Sequence, residues 1–475
     1  MKIKKNTLFM LLIFSLTALM LSSCGSGGSG GSAQSESVSA GAGSVAILLT
    51  DNFTEEFSKI IVTITKIELL SDTGKHTIFS GSRKFDFLNL RNETTLMVMK
   101  DSVPAMWYEK MRLTVKDVTL YDEFGQMINE EVDLTGNQKI DLNPRKKFFV
   151  ASGKMLTIQL DLDAKNSLIK QNNNGYKFDP VVFIDIIGNI PPAKLVRVPG
   201  IIHAIDAAAG EFTLCFMRDD DVNVLHYDSG SCITVSVSRN TSLFDAASNG
   251  RPISFMDLKV RDSVTAIGFF SRTLCAQYNA NDSCKVLDAV VVERGAFEKI
   301  KGTILSPVDV TTEPYTFNLK RDPGQLPPVT GDEIKVLLQD GTKIFSVKHG
   351  ELVNAGSLQP GDPVEIDGVY LDTIPDPPDN EPDVINAVFI LVDLAKKLSG
   401  TIMDINYIMM TFDLSPINKC VYVPDYAQIY LINNIDNSSE IIDILGLSNG
   451  MQTDVYGYEY DNSGCLKAKS IIAFE

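Results

Sequence analysis

The chain is poor in the residues that carry much of hydrolytic and metal chemistry. Its 475 residues include 4 His, 7 Cys and 1 Trp. The histidines stand at 76, 203, 226 and 349, without partner spacing. That leaves little material for a zinc site or for His-based acid–base catalysis. No stretch sustains a 3.6-residue apolar period over several turns, which argues against a helical fold. Positive charge is also short: 43 Lys and Arg face 60 Asp and Glu, a formal charge of −17. Such a surface repels phosphate backbones, so nucleic acid is not an expected partner. With 44% hydrophobic and 22% charged residues, bulk disorder is excluded.

What is present begins with an address. Lys2, Lys4 and Lys5 precede an uncharged run, Thr7–Leu21. The run is short of the about 20 apolar residues that a transmembrane helix needs. It reads as a signal peptide over residues 1–23. Its end, Leu21-Ser22-Ser23-Cys24, resembles the bacterial lipobox. That resemblance implies cleavage before Cys24 and lipidation of it, with the membrane as partner. Without the three leader lysines the mature charge is about −20. Gly25 rather than Asp follows Cys24, which implies sorting to the outer membrane of a Gram-negative bacterium, on its periplasmic or surface face. Residues 24–43 read as lipidated Cys and tether: Gly25–Gly43 is almost wholly Gly, Ser and Ala, with a reach of roughly 25 Å.

Beyond the tether the pattern is short alternating apolar runs rich in β-branched residues, punctuated by Asp-Gly, Asn-Gly and Pro. They read as strands, so the chain is all-β. Residues 44–190 are expected to form an immunoglobulin/transthyretin-like β-sandwich of about seven or eight strands. Asp161–Lys170 is its best candidate for a short helix or turn, and Pro191-Pro192 ends it. An internal repeat follows. Gly200-Ile-Ile, Gly302-Thr-Ile and Gly400-Thr-Ile each precede a Phe-x-Leu, at Phe212, Phe317 and Phe412. Leu258, Leu358 and Leu447 each precede a glycine by ten residues, at Gly268, Gly368 and Gly457. Three tandem small OB-like β-barrels are expected, over 196–294, 298–394 and 396–475. An exported location permits disulfides among the six remaining cysteines. Cys420 and Cys465 form the natural pair of copy three. By equivalence Cys232 would join Cys284, leaving Cys215 with Cys275; the competing reading is local, Cys215–Cys232 and Cys275–Cys284.

Two family resemblances rest on these residues. Thr50-Asp51, Phe57–Glu68, Phe85–Asn92, Tyr108–Leu113 and Leu160–Asp163 resemble domain of unknown function 4382. This implies a β-sandwich placed directly after a lipoprotein signal. The Gly that the family carries before the Tyr is absent, and Ala105-Met106-Trp107 stands there. The repeats are similar to domain of unknown function 5666, an OB-type module with the hallmark Leu-Lys-Val-Gly-Asp. Copy two has Leu358-Gln-Pro-Gly361-Asp362, copy one has Arg261 in place of the Gly, and copy three has Gly450-Met451. Neither resemblance implies an activity.

No nucleophile elbow, zincin, Walker or dinucleotide motif is present. Two acidic loops, Asp219-Asp220-Asp221 and Asp376, Asp379, Glu381, Asp383, lack the alternation of a calcium loop and read as solvated. Trp107-Tyr108 could stack on a sugar, but core or edge packing is the plainer reading. We therefore expect a non-enzymatic binding or structural module of the cell envelope, without cofactor or metal, whose partner is an envelope protein or a glycan. A surface carbohydrate-binding adhesin is the alternative, and a glycan hydrolase a more distant one.

Overall fold

A computed structural model describes residues 41–52, 57–90, 93–128, 132–134, 136–144, 146–163, 167–172, 175–188, 194–216, 232–270, 285–323, 325, 332–371, 383–425, 427–432, 439–459 and 464–474. The chain is all-β, as its alternation predicts. Among these residues no helix is long and apolar enough to cross a membrane.

The sandwich has two main sheets. One contains β2 (Lys59–Ser71), β3 (Gly74–Asp86), β6 (Lys110–Tyr121) and β8 (Lys139–Leu142), in the order β3-β2-β6-β8. The other contains β1 (Ala42–Asn52), β4 (Thr95–Pro104), β10 (Met155–Asp163) and β13 (Val181–Gly188), in the order β13-β10-β1-β4. Small additions are β5 (Trp107–Tyr108) paired with β9 (Phe148–Phe149), and the sheet of β7 (Val132–Leu134), β11 (Leu168–Lys170) and β12 (Tyr176–Phe178). One sequence expectation changes here: β1 opens at Ala42, inside the stretch read as tether. Within Asp161–Lys170, read as a short helix or turn, residues 161–163 end β10 and Leu168–Lys170 form β11, while 164–166 lie outside the described residues.

β1 explains its own sequence. Val45, Ile47 and Leu49 face the sandwich core, while Ala46 and Leu48 face a second core with Leu96, Met99 and Met155. A strand buried on both faces reads as an unbroken apolar run rather than an alternation. The second core is completed by the first repeat. β4 pairs in parallel with β14 (Leu195–Asp206) at Thr95 and Arg197, so the sandwich sheet runs on into the repeat.

Each repeat closes the same five-stranded circuit, strand order 1-2-3-5-4, with strands 3 and 5 parallel. Copy one uses β14, β15 (Glu211–Cys215), β16 (Cys232–Ser236), β19 (Ser263–Phe270) and β20 (Val286–Arg294). Between strands 3 and 4 it adds β17 (Ser242–Asp245) and β18 (Arg251–Pro252). Copy two uses β21 (Glu298–Ile304), β22 (Tyr315–Arg321), β23 (Glu333–Ser346), β25 (Pro363–Tyr370) and β26 (Asp383–Val392), with β24 (Glu351–Val353) added. Copy three uses β27 (Lys396–Asn406), β28 (Thr411–Ser415), β29 (Lys419–Tyr422), β32 (Gln452–Glu459) and β33 (Leu466–Phe474), with β30 (Gln428–Ile432) and β31 (Ser439–Ile442) added. This is the Greek-key circuit of an OB barrel.

The repeat glycines have a steric cause. Gly268, Gly368 and Gly457 sit where strand 4 shifts register against strand 5. A Cβ there would lie 2.1, 2.5 and 2.2 Å from the carbonyl oxygens of Asp288, Asn386 and Lys467. The barrel closes by a backbone approach that a methyl group blocks.

Cys420–Cys465 is bonded, as read from the sequence. In copy one Cys232 joins Cys215, the local alternative, and not Cys284, its partner by equivalence. The correction follows from register: Cys215 and Cys232 are directly opposite on antiparallel β15 and β16, with Cα atoms 4.1 Å apart. Cys275 and Cys284 lie outside the described residues.

Candidate functional site: a buried charge cluster and an exposed aromatic pair

The residues weighed for chemistry are not brought together. His76, in the sandwich, packs edge-on against Tyr108. His203 lies in the first repeat and His349 in the second. His226, Asp219–Asp221, Asp376, Asp379, Glu381 and Cys24 lie outside the described residues. Asp383 opens β26. Among the described residues no group of three His, Cys, Asp or Glu is placed to hold a metal. A cavity of about 240 Å³ lies in copy two, lined by Tyr315, Leu338, Gly341 and Val353 among others.

The densest ionisable group is one the sequence reading passed over. Arg197, on β14, forks onto Glu93 through Nε at 2.9 Å and Nη2 at 3.0 Å. Its Nη1 reaches Glu293 of β20 at 2.9 Å, and Nη2 also donates to Asp367 of β25. Lys299 of β21 reaches Glu93 at 2.6 Å and Asp367 at 3.8 Å. The acidic side chains are only 3–5% exposed. Glu93 belongs to the sandwich, Arg197 and Glu293 to copy one, Lys299 and Asp367 to copy two. The cluster therefore sits where three units meet. Nearby, Lys301 donates to the Leu88 carbonyl of the sandwich at 2.5 Å.

Burial pushes every charged group here toward neutrality, and neighbours decide the outcome. For Glu93 burial is outweighed by Arg197 and Lys299, which hold its carboxyl well below the usual range. For Glu293 burial wins, with Asp367 adding to it and Arg197 only partly offsetting, so its pKa rises to about 8. Burial lowers Arg197 and Lys299, but Asp367 and Glu93 outweigh it and keep both firmly charged. Two cations among three carboxylates leave one acid in excess, and Glu293 is the one that keeps a proton near neutral pH. Carboxylates locked this way are built to hold surfaces together.

A signal for the cluster does exist in the sequence. Arg197, Lys299 and Lys397 each stand three residues before the repeat glycine. Their registers agree: Arg197 opposes Ile267, Lys299 opposes Asp367 and Lys397 opposes Tyr456.

The aromatic dipeptide divides between two roles. Tyr108 is fully buried, donates to the Pro104 carbonyl at 3.1 Å and stacks near Phe148. Trp107 points the other way and is 60% exposed. It lies 5.3 Å, centroid to centroid, from Phe149, itself 42% exposed.

Residues 42–180 match the family described as Domain of unknown function (DUF4382). No curated protein and no solved structure matches the chain. The DUF4382 match begins at the first residue of β1 and takes in both sheets up to the threshold of β13. It contains Glu93, Trp107 and Phe149, whereas Arg197, Lys299, Glu293 and Asp367 lie beyond it.

Proposed function

We propose that this protein is a lipid-anchored, non-enzymatic binding or structural module of the bacterial cell envelope. The observation that carries the reading is Leu21-Ser22-Ser23-Cys24, at the end of an uncharged run and followed by a Gly/Ser/Ala segment leading into β1. Triacylation of Cys24 holds such a body on a bilayer, since each buried CH₂ contributes about 0.8 kcal/mol. The three barrels are proposed to be modules of the domain of unknown function 5666 type, and Gly25 points to the outer membrane. Support for a structural rather than catalytic role comes from the use made of ionisable groups, which join units at their seams. The test is metabolic labelling with radioactive palmitate. Incorporation in the native chain and none in Cys24→Ser is expected; an unlabelled native chain that stays in the aqueous phase of a detergent partition overturns the anchor. The exposed Trp107–Phe149 pair favours a second reading, surface carbohydrate binding, which a glycan array checks.

A further inference from the structure

Trp107 and Phe149 lie beside the place where the chain enters the sandwich. The Ala105 amide donates to the Gly41 carbonyl at 2.9 Å, and the Gly153 amide to Ala42 at 2.8 Å. Ala42 opposes Pro104, and Trp107 opposes Phe149. The approach is so close that a Cβ on Gly41 would lie 2.0 Å from Ser152 Oγ. The first described residue is thus clasped between the two loops that carry the aromatic pair. In sequence, 16 residues separate Cys24 from Gly41.

We infer that the Trp107–Phe149 pair is a membrane-interface contact, resting on the bilayer that holds the lipid of Cys24. The inference rests on the anchoring reading above. Three observations select a lipid surface as the occupant. The pair adjoins the tether's end, so any bilayer reached through that tether is the nearest extended surface. Tryptophan favours the headgroup region, where its amphipathic ring meets both phases, and phenylalanine adds an apolar ring to such a contact. Finally, Lys146 and Lys147, exposed and adjoining Phe148-Phe149 in sequence, are cations suited to anionic headgroups on a chain of net charge −17. Lys147 is shared with Asp72, at 3.6 Å, and with Glu109.

Trp107 is the only tryptophan, so intrinsic fluorescence reads this site alone. The native chain, purified from membranes, is reconstituted into vesicles of equal parts phosphatidylethanolamine and phosphatidylglycerol, with and without brominated acyl chains. Flotation with the vesicles, a blue-shifted Trp107 emission and its loss to the brominated lipid are expected. Phe149→Ala keeps the reporter and is expected to float equally but to be quenched less, with an unchanged thermal midpoint. Flotation with a solvent-exposed, unquenched Trp107 overturns the contact and leaves the anchor standing. A chain that does not float overturns both. Emission that responds to soluble envelope polysaccharide and not to vesicles overturns the contact in favour of sugar binding.

Discussion

Arg197 and Lys299 occupy the same position in successive repeats, and both close on the single carboxylate of Glu93. The equivalence extends across the face around them. By register, Phe244 of β17 corresponds to Phe345 of β23 and to Tyr430 of β30. Phe244 and Phe345 meet in one apolar cluster, with Val291 and Phe389, which also correspond. Copies one and two thus join through the same face of each. Copy three turns the corresponding face elsewhere. Its Tyr430 instead stacks at 3.8 Å on Phe183, on the outer face of the sandwich.

Removing the shared cation exposes what the cluster does. Arg197→Ala leaves Glu93, Glu293 and Asp367 buried around one lysine. Breaking a buried pair from one side costs about 3–5 kcal/mol, because the stranded charge cannot regain water. Urea unfolding at neutral pH is expected to show that loss, and limited proteolysis to cut first between copies one and two. A change below about 0.5 kcal/mol would show that the cluster is solvated.

Glu293 gives the fold a pH dependence of definite sign. Its folded pKa, about 8, lies above the ordinary value of 4.5. The folded state therefore keeps a proton that the unfolded state releases between those values. This stability is fully present below pH 4.5 and is lost as pH rises through about 8, with a slope of up to about 1.4 kcal/mol per pH unit. Glu93 acts oppositely, and its contribution is lost only in acid. Glu293→Gln fixes the neutral form. It is expected to flatten the thermal midpoint between pH 5 and about 8 and to raise it at the alkaline end; a parallel, merely shifted curve counts against the assignment.

Much of this architecture was legible because each repeat obeys local rules. The glycines at 200, 302 and 400 and at 268, 368 and 457 mark backbone approaches that admit no Cβ, so their spacing survives while the side chains around them diverge. What was not legible is how the units meet. Glu93 is distant in sequence from Arg197, and nothing local marks it as a partner. Arg197, Lys299 and Lys397 do recur at one spacing from the glycine, but a lone cation on a strand reads as a solvated side chain. For copy one, equivalence with copy three points to Cys232–Cys284, but register places Cys232 opposite Cys215, and the sequence alone does not show that register. Trp107 and Tyr108 are adjacent, and only the pleat sends one into the core and the other to solvent.

The stack of Phe183 on Tyr430 is expected to hold copy three to the sandwich. Both rings are nearly or fully buried. Phe183→Ala should cost about 3–5 kcal/mol through lost transfer and cavity terms. A double-mutant cycle with Tyr430→Ala isolates the ring pair, for which a coupling of about 0.5–1.5 kcal/mol is expected. Strict additivity would mean that the rings are merely neighbours.

Arg261 offers the opposite kind of test, a substitution that stabilises. The turn before strand 4 is the same in all three repeats. The amides of Arg261, Gly361 and Gly450 donate to Ile202, Ile304 and Ile402, each at 2.8 Å. All three residues are left-handed, with φ of 79°, 93° and 96°. Glycine adopts that conformation freely, whereas a side chain with a Cβ is strained by about 1 kcal/mol or more. The arginine side chain is exposed, so little packing offsets the strain. Gly also loses more backbone freedom on folding, by roughly 0.5–1 kcal/mol, which trims the gain. Arg261→Gly is therefore expected to raise the stability of copy one by a few tenths to about 1 kcal/mol, read as a higher urea midpoint with an unchanged slope. Gly361→Arg is expected to lower that of copy two by at least as much. Loss of stability in both variants would mean that Arg261 makes a contact worth more than its strain.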